Sequence, residues 1–156
     1  MIQLIILPVV LVLAAPAAGA LGVQAPRATG HGIIVRDAWV RVSTPLRTSS
    51  SAYCRIENTT DAAVALVSVT ATGAGAAEIH TMADRDGLMS MHPLAKVTVP
   101  PHGALALEPG GMHIMLTDIA RPLTIGATLA MQFTFDNGRT ETVRAVVRPL
   151  DAMSIR

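Results

Sequence analysis

The chain has 156 residues, a formal net charge of +1, 51% hydrophobic side chains and only 3% aromatic ones. That length is one domain's worth and can bury a core without disulfides, and the lone cysteine, Cys54, has no partner for an internal one. Eleven of the twelve basic residues are arginines scattered along the chain, a pattern that offers no surface to nucleic acid or to an anionic membrane.

Met1 to Ala20 is nearly all apolar and uncharged, and the chain turns polar at Gln24, Arg27 and His31. This reads as a secretory signal peptide, residues 1–25, with cleavage after Ala20 or after Ala25. A retained membrane anchor is the alternative, because the run approaches the roughly 20 residues that span a bilayer. Pro8, Pro16 and the small-residue end favour cleavage. Residues 26–32 follow as a linker, 33–149 as one domain, and 150–156 as a short tail.

From residue 33 the expectation is all-β. Runs of strand length, alternating or rich in β-branched residues, recur between turn residues. They are Ile33 to Val42, Ser51 to Glu57, Ala63 to Thr70, Ala77 to Met82, Leu88 to His92, Ala104 to Glu108, His113 to Leu116, Ala127 to Phe135 and Thr140 to Val147. Asp86-Gly87 and Asn137-Gly138 are hairpin dipeptides. Pro100-Pro101 and Pro109-Gly110-Gly111 stop strands. About nine short strands at this spacing favour a β-sandwich or Greek-key barrel. Trp39 is expected as a core anchor. Alternation puts Cys54 on the buried face of its strand, as a small hydrophobe, with Tyr53, Arg55 and Glu57 on the other.

Four of the five histidines and five of the eight methionines lie between Glu78 and Leu116. They form pairs two residues apart, which share a strand face: His80 with Met82, Met89 with Met91, His113 with Met115. The Asp86-Gly87 turn would fold the first two pairs together, and Gly110-Gly111 would let the third approach. Methionine is a common core filler, but strand positions that need only bulk usually take Val, Ile or Leu. Thioether and imidazole without thiolate or carboxylate are ligands for Cu(I), and a poor set for zinc, magnesium or calcium. Met82, Met89 and Met112 are expected mainly to pack, with shielding of the ion or a part in its entry as the alternative, His92 to face solvent, and His102 to sit in a loop.

The order His80, ten residues, Met91, twenty-one residues, His113, one residue, Met115 resembles the signature of the periplasmic copper(I) chaperone family that serves the CuA centre of cytochrome c oxidase. Flanking segments resemble it too: Asp37-Ala38-Trp39-Val40-Arg41, Tyr53 to Asn58, Glu78-Ile79-His80, Pro109 to Leu116 and Pro122-Leu123. The resemblance spans Ile33 to Val147. It implies a cupredoxin-like β-sandwich holding one Cu(I) per chain through His80, Met91, His113 and Met115. It further implies a periplasmic location and delivery to the copper-bearing subunit of cytochrome c oxidase or another copper-assembly protein. Some relatives bind further copper on a His- and Met-rich tail, whereas Asp151 to Arg156 offers only Met153.

Other functions fit less well. Copper storage or sequestration uses the same ligands. A blue-copper electron carrier needs a Cys thiolate beside two histidines, and Cys54 lies far upstream of any such loop. A copper enzyme using His31 as an N-terminal chelator would require processing after Gly30. No Ser/His/Asp or paired-carboxylate arrangement indicates hydrolysis, so the expectation is a binding protein and not an enzyme.

Overall fold

A computed structural model describes residues 32–85 and 87–153. The expected signal segment, its cleavage points, His31 and nearly all of the linker lie outside those residues, as do Asp86 and the last three residues of the tail. The described chain forms ten strands: β1 (Ile33–Arg41), β2 (Ser50–Asn58), β3 (Val64–Ala71), β4 (Ala76–Arg85), β5 (Leu88–Pro93), β6 (Val97–Val99), β7 (Ala104–Leu107), β8 (His113–Thr117), β9 (Thr128–Phe135) and β10 (Thr140–Arg148). All nine expected strands are present. The additional one is β6, whose three residues before Pro100-Pro101 are too few to display a period-two pattern.

Hydrogen bonding follows the path β5-β4-β8-β2-β1-β10-β9-β3-β6, with β7 joining β2 beside β8. The jumps between sequence-distant strands and the parallel pairing of β1 with β10 make this a Greek-key arrangement and not a meander. The path folds over one apolar cluster that includes Val40, Ile56, Leu66, Ile114, Leu116, Phe133, Phe135 and Val147. Asn58, buried at the end of β2, donates from Nδ2 to the carbonyls of Ala62 (2.8 Å) and Val99 (3.2 Å) and so ties β2 to β6.

Two local features shape the face that carries the histidines and methionines. The first is a bulge in β1: Arg36 faces Arg55, but Trp39 faces Tyr53, so β1 spends one residue more than β2. Asp37 takes it up at φ 54°. An extra residue reverses which face the strand's later side chains occupy. Ile33 and Val35 point into the cluster before the bulge, and Val40 does after it. Trp39 is fully buried, as expected of an anchor, but on the opposite side of the sheet from Val40. The second feature is β5, an edge strand that contributes no residue to the cluster and leaves Leu88, Met89 and Met91 exposed.

Candidate metal centre

The strand registers gather the expected ligands. β4 and β5 form a hairpin through Gly87 (φ 80°), with Met82 directly opposite Met91. β8 lies on the other edge of β4, with His113 opposite His80 and Met115 opposite Glu78. Directly opposed residues share a face and hold their Cβ atoms about 4.5–5.5 Å apart. Ile79, Ile114 and Leu116 alternate inward to the core. His80, Met91, His113 and Met115 therefore all project from the outer face of the β5-β4-β8 ribbon.

The two imidazoles lie with ring centroids 6.0 Å apart. With metal–nitrogen bonds of about 2 Å, one ion can contact both. His113 is 5% exposed, and its Nδ1 lies 3.2 Å from the Gly111 carbonyl oxygen. A carbonyl only accepts, so Nδ1 carries the proton and Nε2 keeps its lone pair. His80 donates from Nε2 to the Glu78 carboxylate at 3.1 Å, which leaves Nδ1 as the acceptor, and that atom is buried without a hydrogen-bond partner. Buried polar atoms are rarely left so, because each costs about 1–3 kcal/mol. An imidazole that gives one N–H to a carboxylate or backbone carbonyl while its other nitrogen keeps an unused lone pair is the arrangement of metal-ligating histidines. The donor set fits a soft cation.

Met91 and Met115 line one cleft of about 180 Å³, together with Arg41, Arg47, Ser51 and Leu150 among others. Met91 is 44% exposed, so the site opens to solvent at its thioether side. Larger hollows of about 370 and 460 Å³ lie elsewhere and hold no thioether. Among the described residues no group of three or more His, Cys, Asp or Glu side chains gathers, so methionine has to complete any four-ligand set here.

Behind His113 the sheet carries a row of rings. Trp39 and Tyr53 stand 4.4 Å apart between centroids, and Tyr53 and His113 stand 6.4 Å apart, spacings that suit offset or tilted aromatic pairs. The Arg41 guanidinium lies 5.5 Å over Tyr53, and that of Arg148 lies 5.5 Å over Trp39. The row therefore crosses β1, β2, β8 and β4 and ends at His80. The β1 bulge makes it possible by turning Trp39 to this face.

The remaining expectations divide. Met112 packs against the core and His102 sits in a turn, 2.7 Å from Asp61. Met89 is 55% exposed and packs nothing in the core, contrary to expectation, because the edge strand that carries it has no core face. His92 is half-buried, with its Nε2 2.8 Å from the Ser90 hydroxyl. Cys54 is buried, and burial pushes its thiol up to about 12, so it holds its proton and lies on the core side, away from both imidazoles. Sequence reasoning left Glu78, the Gly111 carbonyl and Tyr53 without roles. The first was findable, because a carboxylate two residues before His80 must share its face. The other two depend on the β7–β8 loop and on the register of β2 with β8.

Residues 33–147 match the LpqE-like family, described as "Putative lipoprotein LpqE-like". The "Putative lipoprotein Lxx21020" of Leifsonia xyli subsp. xyli is 28% identical over 126 residues, covering 80% of this chain and 75% of that protein. A solved structure of the CuI-DR1885 protein from Deinococcus radiodurans is 31% identical, covers 85% of this chain and 86% of its own, and superposes with a TM-score of 0.56. The apo PCuAC domain from PmoF1 is 27% identical at a TM-score of 0.63, covering 75% of this chain and 93% of that one.

Proposed function

The chain belongs to the LpqE-like/PCuAC domain family, and from that premise we propose that it is an exported copper(I) metallochaperone. One Cu(I) per chain is held by His80, Met91, His113 and Met115, and is delivered to the CuA site of cytochrome c oxidase or to an assembly partner. The observation that carries this reading is the buried, unpartnered Nδ1 of His80, on a residue paired with His113 across β4 and β8 with the two rings 6.0 Å apart. The copper-bound form of the Deinococcus radiodurans relative supports the metal.

The chemistry agrees with transfer. Soft thioethers select Cu(I) over harder ions. Four neutral ligands leave the charge uncompensated, so an acceptor that offers thiolate outcompetes them. The open thioether side lets that acceptor approach before the imidazoles release the ion. Catalysis has no part in the reading.

The domain is read as residues 33–149, behind a signal segment of residues 1–25 and a linker, with work outside the cytoplasm. The lipoprotein descriptions of the relatives support an envelope location. Cys54, buried in β2, offers no exposed thiol for a lipid.

Anaerobic titration of Cu(I) against a chromophoric chelator tests the site. Wild type should bind one tight equivalent, and Met91→Leu and His113→Ala should each weaken it at least tenfold while the domain stays folded. Unchanged affinity in both variants refutes the ligand set. Delivery is tested in copper-starved cells lacking the protein, where oxidase assembly should fall and added copper should restore it. Normal assembly there would turn the reading to copper storage.

A further inference from the structure

The four-ligand site leaves part of the β4–β5 hairpin unexplained. Met82 faces Met91 directly, and Met89 lies two residues from Met91 on the same strand, opposite Asp84. Met82, Met89 and Met91 therefore share the outer face with His80, and Met89 lies diagonal to Met82 at about 7–8 Å, within reach of long side chains. Leu88, Ser90 and His92 alternate to the other face. Core filling does not account for these methionines, since β5 contributes nothing to the core and Met89 and Met91 are 55% and 44% exposed.

We propose that Met82, Met89 and Met91 form a second, weaker thioether station for Cu(I) on the hairpin, which captures the ion and passes it to the four-ligand site through the shared Met91. The inference rests on the proposed function and adds a route to it. Three thioethers suit low-coordinate Cu(I) and no hard cation. Asp84, exposed opposite Met89 with its Oδ1 accepting from the Gly87 N–H at 2.8 Å, supplies the negative charge that four neutral ligands lack. That charge draws a cation to the hairpin first. The transfer is ligand exchange alone: the bonds to Met82 and Met89 sulfur break as those to His80, His113 and Met115 form, and copper keeps its oxidation state throughout. Met91 stays bound across the exchange, so the ion never becomes free.

The test uses the full domain with methyl-13C methionine, titrated anaerobically with Ag(I), a soft ion that does not change oxidation state here. Through the first equivalent the Met91 and Met115 methyl signals should move. Beyond one equivalent, with Met91 already held by the first ion, a second ion meets only the Met82 and Met89 thioethers of the station, and their signals should move and broaden in a weak second phase. A Met82→Leu/Met89→Leu double variant should keep first-equivalent Cu(I) affinity within about threefold, lose the second phase, and take up Cu(I) from a chelator complex at least fivefold more slowly. Met82 and Met89 signals that stay fixed at three equivalents, or uptake at the wild-type rate in the double variant, overturn the station. Failure of the four-ligand reading looks different: His113→Ala would then bind the first equivalent as tightly as wild type.

Discussion

Replacing Tyr53 by leucine separates what the aromatic row does for the fold from what it does for the metal. Its ring touches Trp39 on one side (4.4 Å) and backs His113 on the other (6.4 Å), under the Arg41 guanidinium at 5.5 Å. Leucine keeps most of the apolar burial of a residue only 4% exposed but loses the ring contacts. An aromatic pair is worth about 0.5–1.5 kcal/mol beyond area and a guanidinium over a ring about 0.5–1 kcal/mol, so Tyr53→Leu should destabilise by about 1–2.5 kcal/mol. For copper the cost comes from freeing His113 to rotate. Groups that orient metal-ligating histidines are worth about 10–100-fold in affinity, and a packing contact belongs at the lower end, about tenfold. Tyr53→Phe retains every ring and should stay near wild type on both measures. Urea unfolding of the metal-free domain gives the first quantity, and anaerobic Cu(I) competition gives the second. If Tyr53→Leu lost its stability but bound Cu(I) as tightly as wild type, the row would be scaffold only and its role in holding His113 would be refuted.

Three further outcomes come from the geometry. Glu78→Gln should weaken Cu(I) by a few-fold and less than tenfold in the same competition assay, because a carboxylate 61% exposed orients His80 through a bond that water screens. Met131→Leu, at a 1% exposed core position, should cost less than about 1.5 kcal/mol in urea and leave copper binding unchanged. Cys54 should make the fold alkali-sensitive. Its thiol is raised to about 12 in the folded chain against about 8.5 unfolded, so the proton-bound form is favoured by folding. That stability is fully present below about 8.5 and is lost as pH rises towards 12, with about 2 kcal/mol gone at pH 10. Urea titrations from pH 7 to 10 should show this slope in wild type and its absence in Cys54→Ala.

Local chemistry made much of this protein legible from its residues alone. Nine of the ten strands follow from period-two alternation between Gly and Pro punctuation, because a strand's two faces are set by neighbouring residues. The Gly87 turn folds the His80–Met82 and Met89–Met91 pairs together for the same reason. The third pair is different, since nothing local sets the register of β8 against β4. A shift of one residue would have sent His113 and Met115 into the core and Ile114 out. The burial of Ile79, Ile114 and Leu116 in one cluster decides it. The part Trp39 plays is also tertiary: simple alternation along β1 would set it beside Ile33 and Val35. The bulge at Asp37 turns it instead to the face of Tyr53 and His113. An inserted residue costs a ladder hydrogen bond, and here pairing with β2 resumes beyond it while pairing with β10 begins there, which holds the turned segment in place. The residue types therefore fix the chemistry of the site, and long-range strand pairing decides which of them meet.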